Sequence, residues 1–189
     1  MTRKLVLVTG GARSGKSTFA EQYAARLGEK VEYIATAEVG DEEMRTRVAL
    51  HRQRRPDNWR TTEAPYDAAP AMREAALRAD VVLFDCLTLY TSNLLLAPGM
   101  PEDPLARSQA VLNRWKEVLA AAAAGTASVI IVSNEVGCGI VPDNALAREY
   151  RDLSGFANQL TAKWADEVYW TICGLAIDAK KIAVNGSWD

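Results

Sequence analysis

At 189 residues, 49% of them apolar and 24% charged, the chain is long enough for one domain with a real core and too short for two comfortable ones. A formal net charge of -2 gives no reason to expect nucleic acid as a main partner. Cys86, Cys138 and Cys173 are dispersed and form no C-x-x-C pair, which argues against a disulfide framework or zinc site and fits a reducing cytoplasm.

In chain order, Arg3 and Lys4 precede an apolar run, Leu5 to Thr9, too short for a signal peptide and read as a first buried strand. A glycine loop follows, then a helix from about Lys16 to Leu27 that stops at Gly28. Val31 to Ala35 is a second strand. Asp41 can cap a helix carrying Glu42 and Glu43 in its first turn, and Pro56 ends it. A helix from about Tyr66 to Arg78 leads to the apolar strand Val81 to Phe84, which ends in Asp85. Leu105 to Ala124 is a long helix, its alanine run being strong helix former rather than low complexity. Ser128 to Ser133 is another buried strand, Asn144 to Ala165 is mostly helical, and Glu167 to Cys173 is a late strand. Strands alternating with helices predict an α/β fold with a mostly parallel sheet flanked by helices. The Met100–Pro104 loop is too short to divide domains, so residues 1–189 read as a single domain. No stretch is long enough to span a bilayer.

The first chemical motif is Gly10-Gly11-Ala12-Arg13-Ser14-Gly15-Lys16-Ser17, placed between a strand and a helix. That is the phosphate-binding P-loop pattern. Glycines let backbone N–H groups wrap a phosphate chain, and the helix adds its positive N-terminal end. Lys16 reaches the terminal phosphates and Ser17 offers a hydroxyl to Mg2+. Asp85, at the C-terminal end of its strand, is placed to hold Mg2+ or a nucleotide, since ligands of open α/β sheets collect at that edge. The alternative is a strand-ending Asp that caps a turn with Thr88.

His51 is the one histidine of the chain. On the predicted helix it shares a face with Arg47, Arg54 and Arg55, and Arg45, Arg52 and Arg60 add charge offset locally only by Asp57. Such a cluster suits a triphosphate, and its charge favours a neutral, nucleophilic imidazole. The alternative is an exposed histidine among surface arginines. Asn134-Glu135-Val136-Gly137-Cys138-Gly139-Ile140-Val141-Pro142 follows a buried strand at the same sheet edge and reads as a ligand loop or a simple strand-to-helix turn. Beyond it, Arg148, Arg151, Asp152, Asn158 and Gln159 recur at helical spacing as a solvated or interface face.

Together these segments resemble the adenosylcobinamide kinase / adenosylcobinamide-phosphate guanylyltransferase family of cobalamin biosynthesis. The resemblance rests on Leu7 to Ser17, Tyr33 to Ala37, His51 to Pro56 with Trp59-Arg60-Thr61, Asn134 to Pro142, and Ala147-Arg148 through Arg151-Asp152 to Asn158-Gln159. It runs from about residue 5 to residue 175. It implies a RecA-like P-loop fold, usually assembled as a homotrimer, and a cytoplasmic enzyme with two activities. The kinase would phosphorylate adenosylcobinamide with ATP or GTP. The guanylyltransferase would take GMP from GTP onto a histidine, His51 by the matched motif, and pass it to adenosylcobinamide phosphate. Ala35, Thr36, Ala37, Arg52, Gln53, Arg54, Arg55, Glu63 and Asp85 fall where the family contacts GTP. Asp85 departs from the Glu that many members carry, which leaves open whether it meets Mg2+ or the guanine edge. Leu50 replaces a second histidine of some relatives, so His51 is unambiguous as the nucleophile. A plain small-molecule kinase with His51 as bystander, or a nucleotide-binding protein without turnover, are the competing readings.

Overall fold

The computed structural model describes residues 3–38, 42, 45, 49, 52 and 55–184. The chain runs β1 (Leu5–Gly10), α1 (Lys16–Leu27), β2 (Val31–Ala35), β3 (Arg60–Glu63), α2 (Ala68–Arg78), β4 (Val81–Asp85), α3 (Leu87–Leu95), α4 (Pro104–Ala124), β5 (Ser128–Val132), α5 (Ala145–Trp164), β6 (Glu167–Ile172), β7 (Leu175–Asp178) and α6 (Ala179–Ile182). Glu42, Arg45, Ala49 and Arg52 are helical, within the stretch predicted to be a helix. Asp41, His51, Gln53 and Arg54 lie outside the described residues.

Among the described residues one seven-stranded sheet forms, in the order β3-β2-β4-β5-β1-β6-β7. All neighbours pair in parallel except β6 and β7, which form an antiparallel hairpin. The central strands are buried on both faces, as a parallel sheet covered by helices requires. Alternation within each strand divides the core in two. Val6, Val8, Tyr33, Leu83 and Ile130 face α1 through Ala20 and Ala24. Leu7, Ile34, Phe84 and Ile131 face the layer of α2 to α5, where Tyr90 and Trp115 pack around Phe84 with ring centroids 5.3–6.0 Å apart. The Trp115 indole N–H donates to Thr161 Oγ1 at 2.8 Å, so this large buried ring leaves no polar group unpaired.

Helix ends follow local chemistry. Asp103 caps α4 by accepting from the Ala106 N–H at 2.8 Å, with Pro104 in the first turn, and Asn144 caps α5 through the Ala147 N–H at 2.8 Å. Because every parallel strand points the same way, the ends of β1, β2, β4 and β5 open onto one edge of the sheet. That edge holds the P-loop, Thr36, Asp85 and the loop starting at Ser133. No described helix is long and apolar enough to cross a membrane.

Candidate nucleotide-binding and transfer site

The P-loop leaves β1 and enters α1 as its sequence predicts. Gly10 is required by crowding: a Cβ there would sit 2.4 Å from Thr171 Oγ1 and 2.5 Å from the Thr171 carbonyl oxygen. Gly15 has φ of +99°, in the region that favours glycine, and turns the chain into the first turn of α1. Lys16 Nζ donates to the Gly11 carbonyl at 3.1 Å, so its ammonium lies over the loop it would share with a phosphate. Ser17 is half-buried one residue on. Ser14 differs from its loop neighbours. Its side chain is buried, with Oγ 2.8 Å from Thr171 Oγ1, and therefore turns to the sheet.

Two strands away, β4 ends in Asp85. The Tyr33 hydroxyl, carried on β2, donates to Asp85 Oδ2 at 2.5 Å. Burial, followed by the negative charge of Asp85, holds the Tyr33 phenol far above its ordinary range, so the hydroxyl keeps its proton. The Arg55 guanidinium lies over the Tyr33 ring, 3.4 Å from its centroid. Arg55 Nη1 also donates to Thr61 Oγ1 at 3.4 Å. Tyr33 thus connects the strand-end carboxylate to the segment following the arginine cluster. Sequence reasoning did not single it out, since a tyrosine in an apolar strand looks like core; its place directly before Ile34-Ala35-Thr36 was the available signal.

Thr36 is fully buried and knits the two strand ends. Its hydroxyl accepts from the Cys86 N–H at 2.7 Å and donates to the Cys86 carbonyl at 2.8 Å. Its N–H donates to the Asp85 carbonyl at 3.1 Å, and its carbonyl accepts from Asn93 Nδ2 at 2.8 Å. Its polar groups fix the edge on which Ala35 and Ala37 lie. Glu63 ends β3 in register with Ala35 and is exposed. Arg52 is exposed as well. Burial, and next the charge of Asp85, push the Cys86 thiol up to about 11, which keeps it protonated and removes it as a nucleophile. Lys16 is close enough to act on that thiol in the opposite direction, so the P-loop cation and the end of β4 share one electrostatic neighbourhood.

The loop after β5 is built into the same edge. Glu135 N–H donates to the Gly10 carbonyl at 3.0 Å, and Glu135 Oε1 accepts from the Gly137 N–H at 2.8 Å. Asn134 Nδ2 donates to Thr88 Oγ1 at 2.8 Å. Arg151 of α5 donates to the Gly137 carbonyl. The expectation that Asn158 sits on a solvated or interface face is corrected: it is buried, accepts from Ser133 Oγ at 2.5 Å and donates to the Asn134 carbonyl at 3.1 Å. An amide satisfied at both ends carries the loop from beneath. The loop head is open, with Ile140 97% exposed.

No cluster of three or more His, Cys, Asp or Glu side chains among the described residues could hold a metal by itself. Mg2+ does not need one. It takes one or two carboxylates and completes its shell with water and phosphate oxygens. Asp85, with one oxygen anchored by Tyr33, and the Ser17 hydroxyl are oxygen donors of the type such a shell takes.

A model of the family described as cobinamide kinase / cobinamide phosphate guanyltransferase matches residues 6–179. The chain belongs to this family. Its relatives include the bifunctional adenosylcobalamin biosynthesis protein CobP of Pseudomonas aeruginosa, 42% identical over 174 residues that cover 92% of this chain and 96% of the relative. The corresponding CobU protein of Escherichia coli is 40% identical over 183 residues, covering 93% and 99%. Among solved structures, an ATPase of a bacterial type III secretion system superposes with a TM-score of 0.56 at 14% identity, across 97% of this chain and 60% of that one. That similarity supports the RecA-like P-loop fold and nothing finer. The cobinamide kinase family membership makes this protein a bifunctional kinase and guanylyltransferase of cobalamin biosynthesis that uses nucleoside triphosphates.

Proposed function

We propose that one sheet edge serves both reactions: phosphorylation of the adenosylcobinamide hydroxyl, then guanylyl transfer through His51 to give adenosylcobinamide-GDP. The observation that carries this reading is the P-loop and Asp85 on one edge, joined through Tyr33 to Arg55, four residues after His51. Gly10 to Ser17 cradle the phosphate chain with backbone N–H groups, and Lys16 neutralises its terminal charge. Ser17 and Asp85 would hold Mg2+, which when bound supplies further neutralisation of phosphate charge. In the kinase step the substrate hydroxyl oxygen bonds to the γ-phosphorus of ATP or GTP and gives up its proton to solvent, and the bond to the β-bridging oxygen breaks to release the diphosphate. In the second step an imidazole nitrogen of His51 bonds to the α-phosphorus of GTP, and pyrophosphate leaves. A phosphate oxygen of the substrate then displaces His51, taking the GMP and restoring the free imidazole.

Ala35, Thr36, Ala37, Arg52, Gln53, Arg54, Arg55 and Glu63 shape the GTP subsite in this reading. The enzyme works as a cytoplasmic homotrimer. The deciding experiment is incubation with GTP labelled at the α-phosphate. Covalent label on the wild type, absent from His51→Asn while cobinamide phosphorylation persists, is the expected result. Phosphorylation with no label on the wild type selects the plain kinase.

A further inference from the structure

The P-loop is held by the far hairpin of the sheet as well as by its own strand and helix. The β6–β7 hairpin turns through Cys173 and Gly174, whose φ values of +52° and +81° are the positive pair that tight two-residue hairpins use. Strand alternation puts Trp170 and Ile172 outward and Thr171 inward, where it is buried against the loop. Thr171 Oγ1 donates to the Thr9 carbonyl at 3.1 Å. Its proton being used there, Ser14 Oγ donates to Thr171 Oγ1 at 2.8 Å. The Gly174 N–H donates to the Ser14 carbonyl at 2.9 Å. The Gly174 Cα packs against Gly15 so closely that a Cβ on Gly15 would lie 3.1 Å from it. Thr9, Ser14 and Gly15 are thus tied to one hairpin on both sides of the loop's tip.

We propose that Thr171 and the Cys173–Gly174 turn are positioning elements for the nucleotide: they hold the P-loop in its phosphate-receiving shape before the nucleotide arrives. The inference rests on the P-loop being the phosphate site. A loop whose N–H groups must converge on a phosphate loses conformational entropy when it binds, and fixing it beforehand removes that cost from the binding step. The Ser14 hydroxyl, in a motif position read as a phosphate contact, belongs on this account to the brace.

The test measures, by calorimetry, the dissociation constant of a GTP analogue with a non-cleavable α,β-methylene bridge, which His51 cannot turn over, and the kinase KM and kcat for nucleotide, in Thr171→Val, Thr171→Ser, Ser14→Ala and Lys16→Ala, each with its thermal midpoint. Thr171→Val keeps the shape and deletes both hydroxyl bonds. It should weaken GTP binding roughly tenfold, the effect of one to two hydrogen bonds. The nucleotide KM should rise in proportion, with kcat at saturation changed by less than about threefold. Thr171→Ser should restore wild-type binding. A Thr171→Val protein that melts lower but binds GTP like the wild type overturns the proposal, because the contact then serves only the fold. Should Thr171→Val fail to fold, Ser14→Ala decides: binding weakened several-fold supports the brace, and unchanged binding overturns it. Lys16→Ala separates the two levels. If it loses GTP while both brace variants bind normally, the brace is wrong and the P-loop reading stands. If Lys16→Ala also binds normally, the P-loop reading falls and the brace with it.

Discussion

Asp85 illustrates how much a single contact decides. A carboxylate at a strand end can rotate, and a freely rotating ligand must be ordered each time it is used. The Tyr33 hydroxyl at 2.5 Å removes that freedom from one oxygen and leaves the other for the Mg2+ proposed above. Tyr33→Phe should therefore preserve the packing of the ring beneath Arg55 while lowering the kinase rate about tenfold, with more Mg2+ needed for half-maximal activity. An unchanged Mg2+ dependence in steady-state assays would mean that Asp85 does not meet the ion. His51→Asn should behave differently and separate the two activities, since an amide nitrogen is no nucleophile whereas phosphoryl transfer needs only positioning and charge. The adduct proposed for the wild type, a P–N bond, should hydrolyse in acid and survive alkali. An acid-labile adduct persisting in the mutant would place the nucleophile elsewhere. At this scale the sequence was legible where chemistry demands a fixed spacing, as in Gly10 to Ser17 or Asp85 at a strand end. It was silent on Tyr33 and Thr171, because their roles come from a partner 52 and 157 residues away in the chain. Nothing in the local pattern sets Thr171 apart from an ordinary strand residue, and Tyr33 stands out only as the first residue of the Tyr33 to Ala37 segment.

Among the elements, those whose own pattern determines them were readable. Both buried strands β4 and β5 are continuous apolar runs, and α1, α4 and α5 begin and end within a residue or so of their predicted limits. The elements not foreseen depend on neighbours. The β3 sequence, Arg-Thr-Thr-Glu, has no apolar face and becomes a strand by pairing with β2 at the sheet edge. Its Thr62 hydroxyl donates at 2.7 Å to Glu32, a carboxylate buried in the middle of β2. Arg78 at the end of α2 completes that group, donating to Oε2 at 2.7 Å and also to Oε1. Burial is the largest single influence on Glu32 and pushes its pKa up, but the bonds from Arg78 and Thr62 together outweigh it and hold the carboxyl below its ordinary value. A lowered folded pKa means stability that is present above the unfolded value and lost as pH falls through the folded one. Arg78→Met removes the partner and leaves burial unopposed. At pH 7 it should cost about 3 kcal/mol in urea denaturation, the low end for a broken buried pair because Arg78 is about one-third exposed. At pH 5 the deficit should shrink, since the orphaned carboxyl can then take a proton. An equal deficit at both pH values would assign the loss to packing.

For the molecule as a whole, the informative feature is an apolar face that the described residues leave exposed at one end of the sheet. On β6, Val168 is buried under the α2–α5 layer, but Trp170 and Ile172, on the same side of the strand, are 43% and 42% exposed. The antiparallel register sets Ile172 opposite Leu175 and Trp170 opposite Ile177, so β7 extends this face, with Leu175 68% exposed. Contiguous apolar surface of this kind at the edge of a sheet marks an association site. If the proposed homotrimer forms, this face is the surface expected to meet a neighbouring subunit. Leu175→Asp would place a charge where a neighbour's apolar surface must dock, and desolvating it unpaired would oppose assembly. The substitution lies on an exposed side chain, so the fold itself should lose no more than about 0.5 kcal/mol. The expected outcome is a shift from trimer to monomer mass in size-exclusion chromatography with light scattering, at an almost unchanged circular dichroism spectrum. Leu105→Asp is the matched control: it is 83% exposed in the first turn of α4, on a different element, and should leave the mass unaltered. If Leu175→Asp keeps the wild-type mass, the subunits do not meet at this face; if Leu105→Asp alone dissociates the assembly, they meet at the N-terminal end of α4.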